Sequence, residues 1–488
     1  MMKTFILRSL FIVGVIVASI VLVRAFDSRR LPDLQPWHRI SLNSEFTESN
    51  SDQIESLGDY LELEERVFQE LDTSMYKKIE PENQFALSRY TKNSPVDPEQ
   101  FSPNWNRSFE LKPANPKGGV LMIHGLTDSP YSMRRLARTF EEQGYYVLAM
   151  RMPGHGTIPS GLLTATWKDW MAATYLGARH VRKKIGKDLP FFMVGYSNGG
   201  ALTVKYIMES LQDETKPMPD RVILLSPMLG VTFFARFSTW HKILSWLPYF
   251  KKFKWVDVLP EYDPFKYNSF TKAAGEQSYK LTNAIHKQVA QLLKSGSISG
   301  LPPMTTFQSL VDATVLTSSI IDVLYSKLSP NKHELVLFDV NRVTVTKSFF
   351  HVEHHDLLLD LKDTLGLPFD VTLVTNKNDE SRDMVLKNKK MNSQDIMTEE
   401  LDLSWPPGVY SLSHVAIPFS PDDLIYGSIE PNESSSHVNV GSSQVNLGAF
   451  APRGEKSILI IPTELLMRLR YNPFFEYMER KIVDIINE

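Results

Sequence analysis

The 488-residue chain has no cysteine. That absence excludes disulfides, a thiolate nucleophile and any zinc site built on Cys ligands. It is compatible with an oxidising compartment and does not demand one. Charge of one sign is also missing: 53 Lys and Arg stand against 56 Asp and Glu, a net charge of −3. No polybasic surface therefore calls for nucleic acid. Internal repeats are absent. His351, Glu353, His354 and His355 lie close together, but their spacing matches no standard metal site. Neither a metal nor a cofactor is called for.

What is present suits a large enzyme-sized body. Hydrophobic residues make up 42% of the chain, ample for one large core with appendages. Lys3 and Arg8 flank an apolar N-terminal stretch, and Ser9 to Val23 carries no charge. Counted back to Thr4, the stretch nears the roughly 20 residues a membrane span needs. Val23-Arg24-Ala25 offers, as the alternative to a retained anchor, a small-residue cleavage site. A retained anchor and a cleaved signal both stay open. Arg24, Arg29 and Arg30 put positive charge on the far side as well, so orientation is poorly fixed.

The most informative stretch is Gly195-Tyr196-Ser197-Asn198-Gly199, which fits G-x-S-x-G. A strand-like apolar run, residues 189–194, precedes it, and a helix-like run, residues 200–208, follows. A serine on that sharp turn is lifted out of the sheet with a helix N-terminus beneath it. Upstream, residues 118–123 read as a buried strand leading into His124-Gly125-Leu126-Thr127-Asp128. An acyl-transfer oxyanion needs two backbone N–H donors. The residue after the nucleophile, Asn198, supplies one, and Leu126 in the loop after the earlier strand supplies the other. His124 reads as the residue that orients this loop rather than as a base. Strand-like and helix-like segments then alternate: helix 129–143, strand 145–150, helix from Thr166 to about Ile185, strand 221–226. This pattern predicts a mostly parallel sheet covered on both faces, with the loops after the strands gathered on one edge.

His124-Gly125-Leu126, Arg151-Met152-Pro153-Gly154-His155-Gly156 and Gly195 to Gly200 together resemble the α/β-hydrolase superfamily. The monoacylglycerol lipase, lysophospholipase and carboxylesterase branch is the nearest in kind. The resemblance covers about residues 115–230, extends over 300–340, and is weak or absent before 105 and across much of 341–488. It implies an α/β-hydrolase fold and a Ser/Asp/His triad acting on acyl esters. Asp312, after the strand-like run 304–310, looks like the family's acid. Asp322 falls within the following helix. For the base, His414 in Ser413-His414-Val415 resembles the family's turn, with His351 and His354 as the alternatives.

The expected division is an anchor or signal peptide over 1–25 and a polar extension over 26–105, with an amphipathic helix at Asp52–Leu71. The first part of the core then covers 106–230, a cap or lid insertion 231–303, and the second part, with inserted loops and a C-terminal helix, 304–488. Residues 377–395 and 428–446 read as loops. The insertion carries Phe233, Phe234, Phe237, Trp240, Trp246 and Tyr249, with Lys251, Lys252 and Lys254 close behind. Aromatics beside lysines suit a membrane interface or an acyl-chain tunnel. Expected partners are thus a small-molecule or lipid ester and a membrane, reached through the N-terminal segment and this cap. The expected location is membrane-anchored with an exported body, or secreted after cleavage. An acyltransferase on the same triad and a non-catalytic binding protein remain as alternatives.

Overall fold

A computed structural model of the chain describes residues 32–77, 79, 85–230, 248–312, 315–344, 366–428, 446–448 and 458–488, with scattered positions before residue 32. Helix α1 (Leu57–Leu71) begins at a capping box: Asp59 N–H donates to Ser56 Oγ, and Ser56 N–H donates to the Asp59 carboxylate. That cap sets the start five residues later than the apolar spacing predicts, and Glu48–Gln53 winds as a separate 3-10 turn.

The main sheet starts with β1 (Phe109–Leu111), β2 (Gly118–Ile123) and β3 (Tyr145–Met150). Helix α2 (Arg134–Glu142) joins β2 to β3, after a 3-10 turn at Pro130–Met133. Helix α3 (Trp167–Ile185), capped by Thr166, leads to β4 (Phe191–Tyr196), and α4 (Asn198–Ser210) leads to β5 (Arg221–Leu225). The insertion contributes the short strands β6 (Trp255–Asp257) and β7 (Phe270–Thr271), which pair with each other, and the long helix α5 (Lys272–Ser295). β8 (Met304–Ser309), α6 (Thr317–Val323) and β9 (Glu334–Phe338) follow. β10 (Asp370–Asn376), β11 (Asp383–Lys389) and β12 (Ile396–Ser404) complete the sheet, and α7 (Phe475–Asn487) ends the chain.

Ten strands run in the order β1-β3-β2-β4-β5-β8-β9-β10-β11-β12. The seven from β3 to β10 are parallel, and β1, β11 and β12 are joined antiparallel at the edges. β2, β3 and β4 are buried along their whole length, as a sheet covered on both faces requires. One core lies between the sheet and α3, α4 and α5, and another between the sheet and α2 and α7. The register pairs Ile123 with Gly195 and Tyr196 with Leu225, so the carboxyl ends of the central strands come out level on one edge.

Two expectations are corrected. Residues 377–395 are not a loop, since β11 occupies Asp383–Lys389 and pairs with both neighbours. The helix after β8, which the sequence predicts over Leu316–Leu328, is one short piece, Thr317–Val323, followed by a 3-10 turn at Tyr325–Lys327. The described residues of the extension, from Pro32 to Trp105, are folded against the body, with Trp37, Phe46, Tyr60, Val67, Met75 and Tyr90 buried. Most of residues 1–25, residues 231–247 with the aromatic cluster of the insertion, and residues 429–445 lie outside the described residues. Among the described residues no helix is long and apolar enough to cross a membrane.

Candidate active site

Ser197 ends β4 in a conformation that non-glycine residues avoid, φ 50° and ψ −111°. The surroundings hold it there. Ser197 N–H donates to Leu225 O at 2.9 Å, and its carbonyl accepts from Met228 N at 3.0 Å and Ala201 N at 3.2 Å. The flanking glycines are required by close approach. A methyl group on Gly195 would lie 2.5 Å from Gly199 O, one on Gly200 would meet Pro227 at 2.8 Å, and one on Gly199 would strike the backbone of Ile123. Ser197 is half-buried at the carboxyl edge of the sheet. Asn198 is the first residue of α4, where helical N–H groups lack intrahelical acceptors and carry the positive end of the dipole.

The loop after β2 brings Leu126 to the same edge. His124 fastens it from beneath: Nε2 accepts from Met152 N at 2.9 Å, and Nδ1 faces Gly125 O at 2.8 Å. One ring nitrogen is thus an acceptor and the other a donor, which is the neutral imidazole. Burial, with the charge of His155 adding to it, pushes its pKa well below the ordinary range. His124 has no nitrogen left for proton transfer and acts as the loop's anchor. Thr127 takes φ 66°, and its carbonyl accepts from Tyr267 N at 2.8 Å.

Asp312 follows β8. Its Oδ1 accepts from Val315 N at 3.0 Å and its Oδ2 from Gln308 Nε2 at 3.3 Å. His414 Nδ1 lies 3.3 Å from Asp312 Oδ1, with side-chain exposures of 12% for His414 and 1% for Asp312. The path that delivers His414 is long. Three strands beyond β9 intervene, and the chain then returns to the β9 end, where Asn341 N–H donates to Tyr410 O and Asn341 Nδ2 to Val409 O, both at 2.8 Å. The structure therefore brings Asp312 and His414 into contact. It sets Ser197, Asn198 and Leu126 on the same edge through β4 and β2. His351 and His354 lie outside the described residues.

Residues 114–314 match the family model Hydrolase_4, described as serine aminopeptidase, S33. The chain is 37% identical over 95 residues to the thermostable monoacylglycerol lipase of Bacillus sp. (strain H-257), a stretch covering 20% of this chain and 36% of that protein. It is 32% identical over 136 residues to caffeoylshikimate esterase of Arabidopsis thaliana, covering 27% and 40%. Over residues 114–314 the chain is therefore similar to α/β-hydrolases of the serine esterase and lipase branch. The matched stretches span less than half the length of these curated relatives. A solved structure of a soluble variant of monoglyceride lipase from Saccharomyces cerevisiae is similar at 15% identity and a TM-score of 0.38, over 48% of this chain and 82% of that one.

Several charged residues around this site escape a reading of the sequence. Asp128, buried in the Leu126 loop, pairs with Lys266 of the insertion at 3.1 Å. Burial raises its pKa and the Lys266 ammonium opposes the rise. Asp263 pairs with Arg470 at 3.5 Å and accepts from Tyr426 OH at 2.5 Å. Asp423 accepts from Tyr131 OH at 2.9 Å and Arg134 Nη2 at 3.0 Å. These partners lie more than a hundred residues apart in sequence, so no local spacing announces them.

Proposed function

We propose that this protein is an α/β-hydrolase that cleaves carboxylic esters through Ser197, His414 and Asp312. The observation that carries the reading is the Asp312–His414 contact, on the sheet edge where Ser197 is held at the strained elbow. With Nδ1 turned to Asp312, His414 keeps Nε2 for the serine. Ser197 Oγ attacks the ester carbonyl as His414 Nε2 takes its proton. Asp312 holds the imidazole in one tautomer and stabilises the imidazolium. The N–H groups of Leu126 and Asn198 receive the oxyanion. The protonated His414 passes the proton to the leaving alcohol. Water then attacks the acyl-serine by the reverse proton path and releases the acid, so no cofactor takes part.

The proposed substrates are lipid esters of monoacylglycerol or lysophospholipid type. The monoacylglycerol lipase among the relatives and the aromatic residues of the insertion support this. We further propose that residues 1–25 hold the body at a membrane, on its extracytoplasmic side, with cleavage to a secreted form as the alternative. The uncharged stretch Ser9 to Val23 and the flanking Lys3 and Arg8 support it. The division into extension, core, cap and second core part set out above belongs to the same proposal.

The test is labelling of the detergent-solubilised protein with a fluorophosphonate probe, comparing wild type with Ser197→Ala and His414→Ala. Labelling lost in both variants is the expected result. Labelling lost only in the serine variant moves the base to His351 or His354. No labelling of the folded wild type removes the hydrolase reading.

A further inference from the structure

We propose that Arg468 is a substrate-binding residue that receives an anionic group, a carboxylate or a phosphate, carried by the ester near its scissile bond. This rests on the ester-hydrolase reading above and adds to it the charge of the substrate.

The placement comes first. Residues 467–472 run between a short helix, Thr463–Leu466, and α7. They are fastened along the His414 turn at three points. Ser413 Oγ donates to Leu469 O at 2.8 Å, Asn472 N to Phe419 O at 2.8 Å, and Asn472 Nδ2 to Ile417 O at 3.4 Å. Ser413 directly precedes the base, so Arg468 is joined to a residue one hydrogen bond from the His414 turn. Its charge acts on the Asp312 carboxylate and on Tyr196, the residue before Ser197. Arg468 thus stands within the field of both halves of the site.

The charge census comes second. Arg470 is committed to Asp263, Lys266 to Asp128, and Arg134 to Asp423. Asp312 is committed to His414. Arg468 is half-buried and has no hydrogen bond or ion pair among the described residues. Burial, with the like charge of Arg470, presses its pKa below the ordinary guanidinium range. A partly desolvated, unpaired guanidinium is costly, and its planar fork of donors matches a carboxylate or phosphate. An anion on the substrate would complete it. The same anion would lie near the scissile ester, because the backbone beside Arg468, at Leu469, is tied to Ser413, the residue before the base.

The experiment compares matched esters at low ionic strength. The first pair is 4-nitrophenyl butyrate and the 4-nitrophenyl hemiester of succinate. The second is a 1-acylglycerol and the same 1-acylglycerol 3-phosphate. Wild type, Arg468→Gln and Arg468→Lys are measured on each, and the second pair separates a phosphate preference from a carboxylate one. The expected result is that wild type uses at least one anionic ester as well as its neutral counterpart. Arg468→Gln then lowers that anionic-to-neutral ratio of kcat/KM tenfold or more, chiefly through KM, and Arg468→Lys recovers part of it. An equal loss on neutral and anionic esters, falling in kcat, would mean that Arg468 only supports Asp312 and would overturn the proposal. Should Arg468→Gln not fold, the wild-type ratio and Arg468→Lys decide, and a wild type tenfold poorer on both anionic esters overturns it. Ester turnover whose anionic-to-neutral ratio is left unchanged by Arg468→Gln sinks this inference alone. A folded wild type that cleaves no ester sinks it together with the hydrolase reading.

Discussion

Arg151, on the loop after β3, and Glu64, on α1, meet as an ion pair at 3.1 Å with side-chain exposures of only 1% and 4%. Glu45 closes on the other side of the guanidinium at 2.7 Å, and Arg151 Nη1 donates to His155 O at 2.9 Å. Tyr60 OH donates to Arg151 O at 2.6 Å. Burial works against the charge of Arg151, but Glu45 and Glu64 more than offset it and hold its pKa well above the ordinary value. The N-terminal extension therefore clamps the Gly154-His155-Gly156 loop beside the His124 ring.

Removing one partner of such a pair leaves a buried charge exposed to the interior. Glu64→Ala is expected to destabilise the fold by about 3 kcal/mol. The urea midpoint checks it. A loss well under 1 kcal/mol would show that Glu45 alone satisfies Arg151.

The strained elbow makes a prediction of opposite sign. A residue at φ 50° and ψ −111° costs free energy that glycine does not incur. Ser197→Gly should therefore raise stability by about 1 kcal/mol while abolishing ester turnover. Thermal unfolding and 4-nitrophenyl ester hydrolysis measure the two effects. A less stable Ser197→Gly protein would mean that the hydroxyl contributes packing the geometry does not reveal.

The elbow and the Leu126 loop are legible in the sequence because β2 and β4 are continuous apolar runs ending in glycine-punctuated turns. The Asp312–His414 contact is different. It joins residues about a hundred positions apart, and only the resemblance to a family proposed them together. β11 and β12 were not legible at all. They form a polar edge hairpin in which Met384, Val385 and Leu401 are buried while Thr398, Glu399 and Glu400 face water. Its alternation is too weak to read as strand against a charged background. The Arg151, Asp128 and Arg470 pairs were hidden for the same reason as the Asp312–His414 contact, since the fold alone brings them together.

Buried ionisable groups give a pH dependence whose sign can be worked out. Burial lowers the His155 pKa to about 4 from an unfolded value of 6.5. The unfolded chain binds more protons in that window, so stability is lost as pH falls from 6.5 towards 4, by about 3 kcal/mol for this group. Glu261 acts the other way. Burial raises its pKa from 4.5 to about 7, so the folded state binds more protons and its contribution is lost as pH rises through 7. Between pH 4.5 and 7 the two oppose each other. Relative to the wild-type trend between these pH values, the urea midpoint should shift towards a fall with pH in His155→Gln and towards a rise in Glu261→Gln. Identical slopes in all three proteins would rule out both assignments.

The Asp128–Lys266 pair joins the Leu126 loop to the insertion, and its loss should appear in catalysis more than in stability. Asp128 Oδ2 sits where a side chain on Gly125 would begin, 2.8 Å from that position, so the carboxylate underlies the turn that presents Leu126. Lys266 is the cation that offsets the burial of Asp128. Lys266→Met leaves that carboxylate unpaired beneath the loop, and kcat is expected to fall by about tenfold with little change in KM. Asp128→Asn in the same background removes the charge that needs a partner, so the double variant should recover most of the lost kcat. The cycle of the two single variants and the double should give a coupling of about 1 kcal/mol or more. Additive effects would mean that the pair has no bearing on how the Leu126 loop is held.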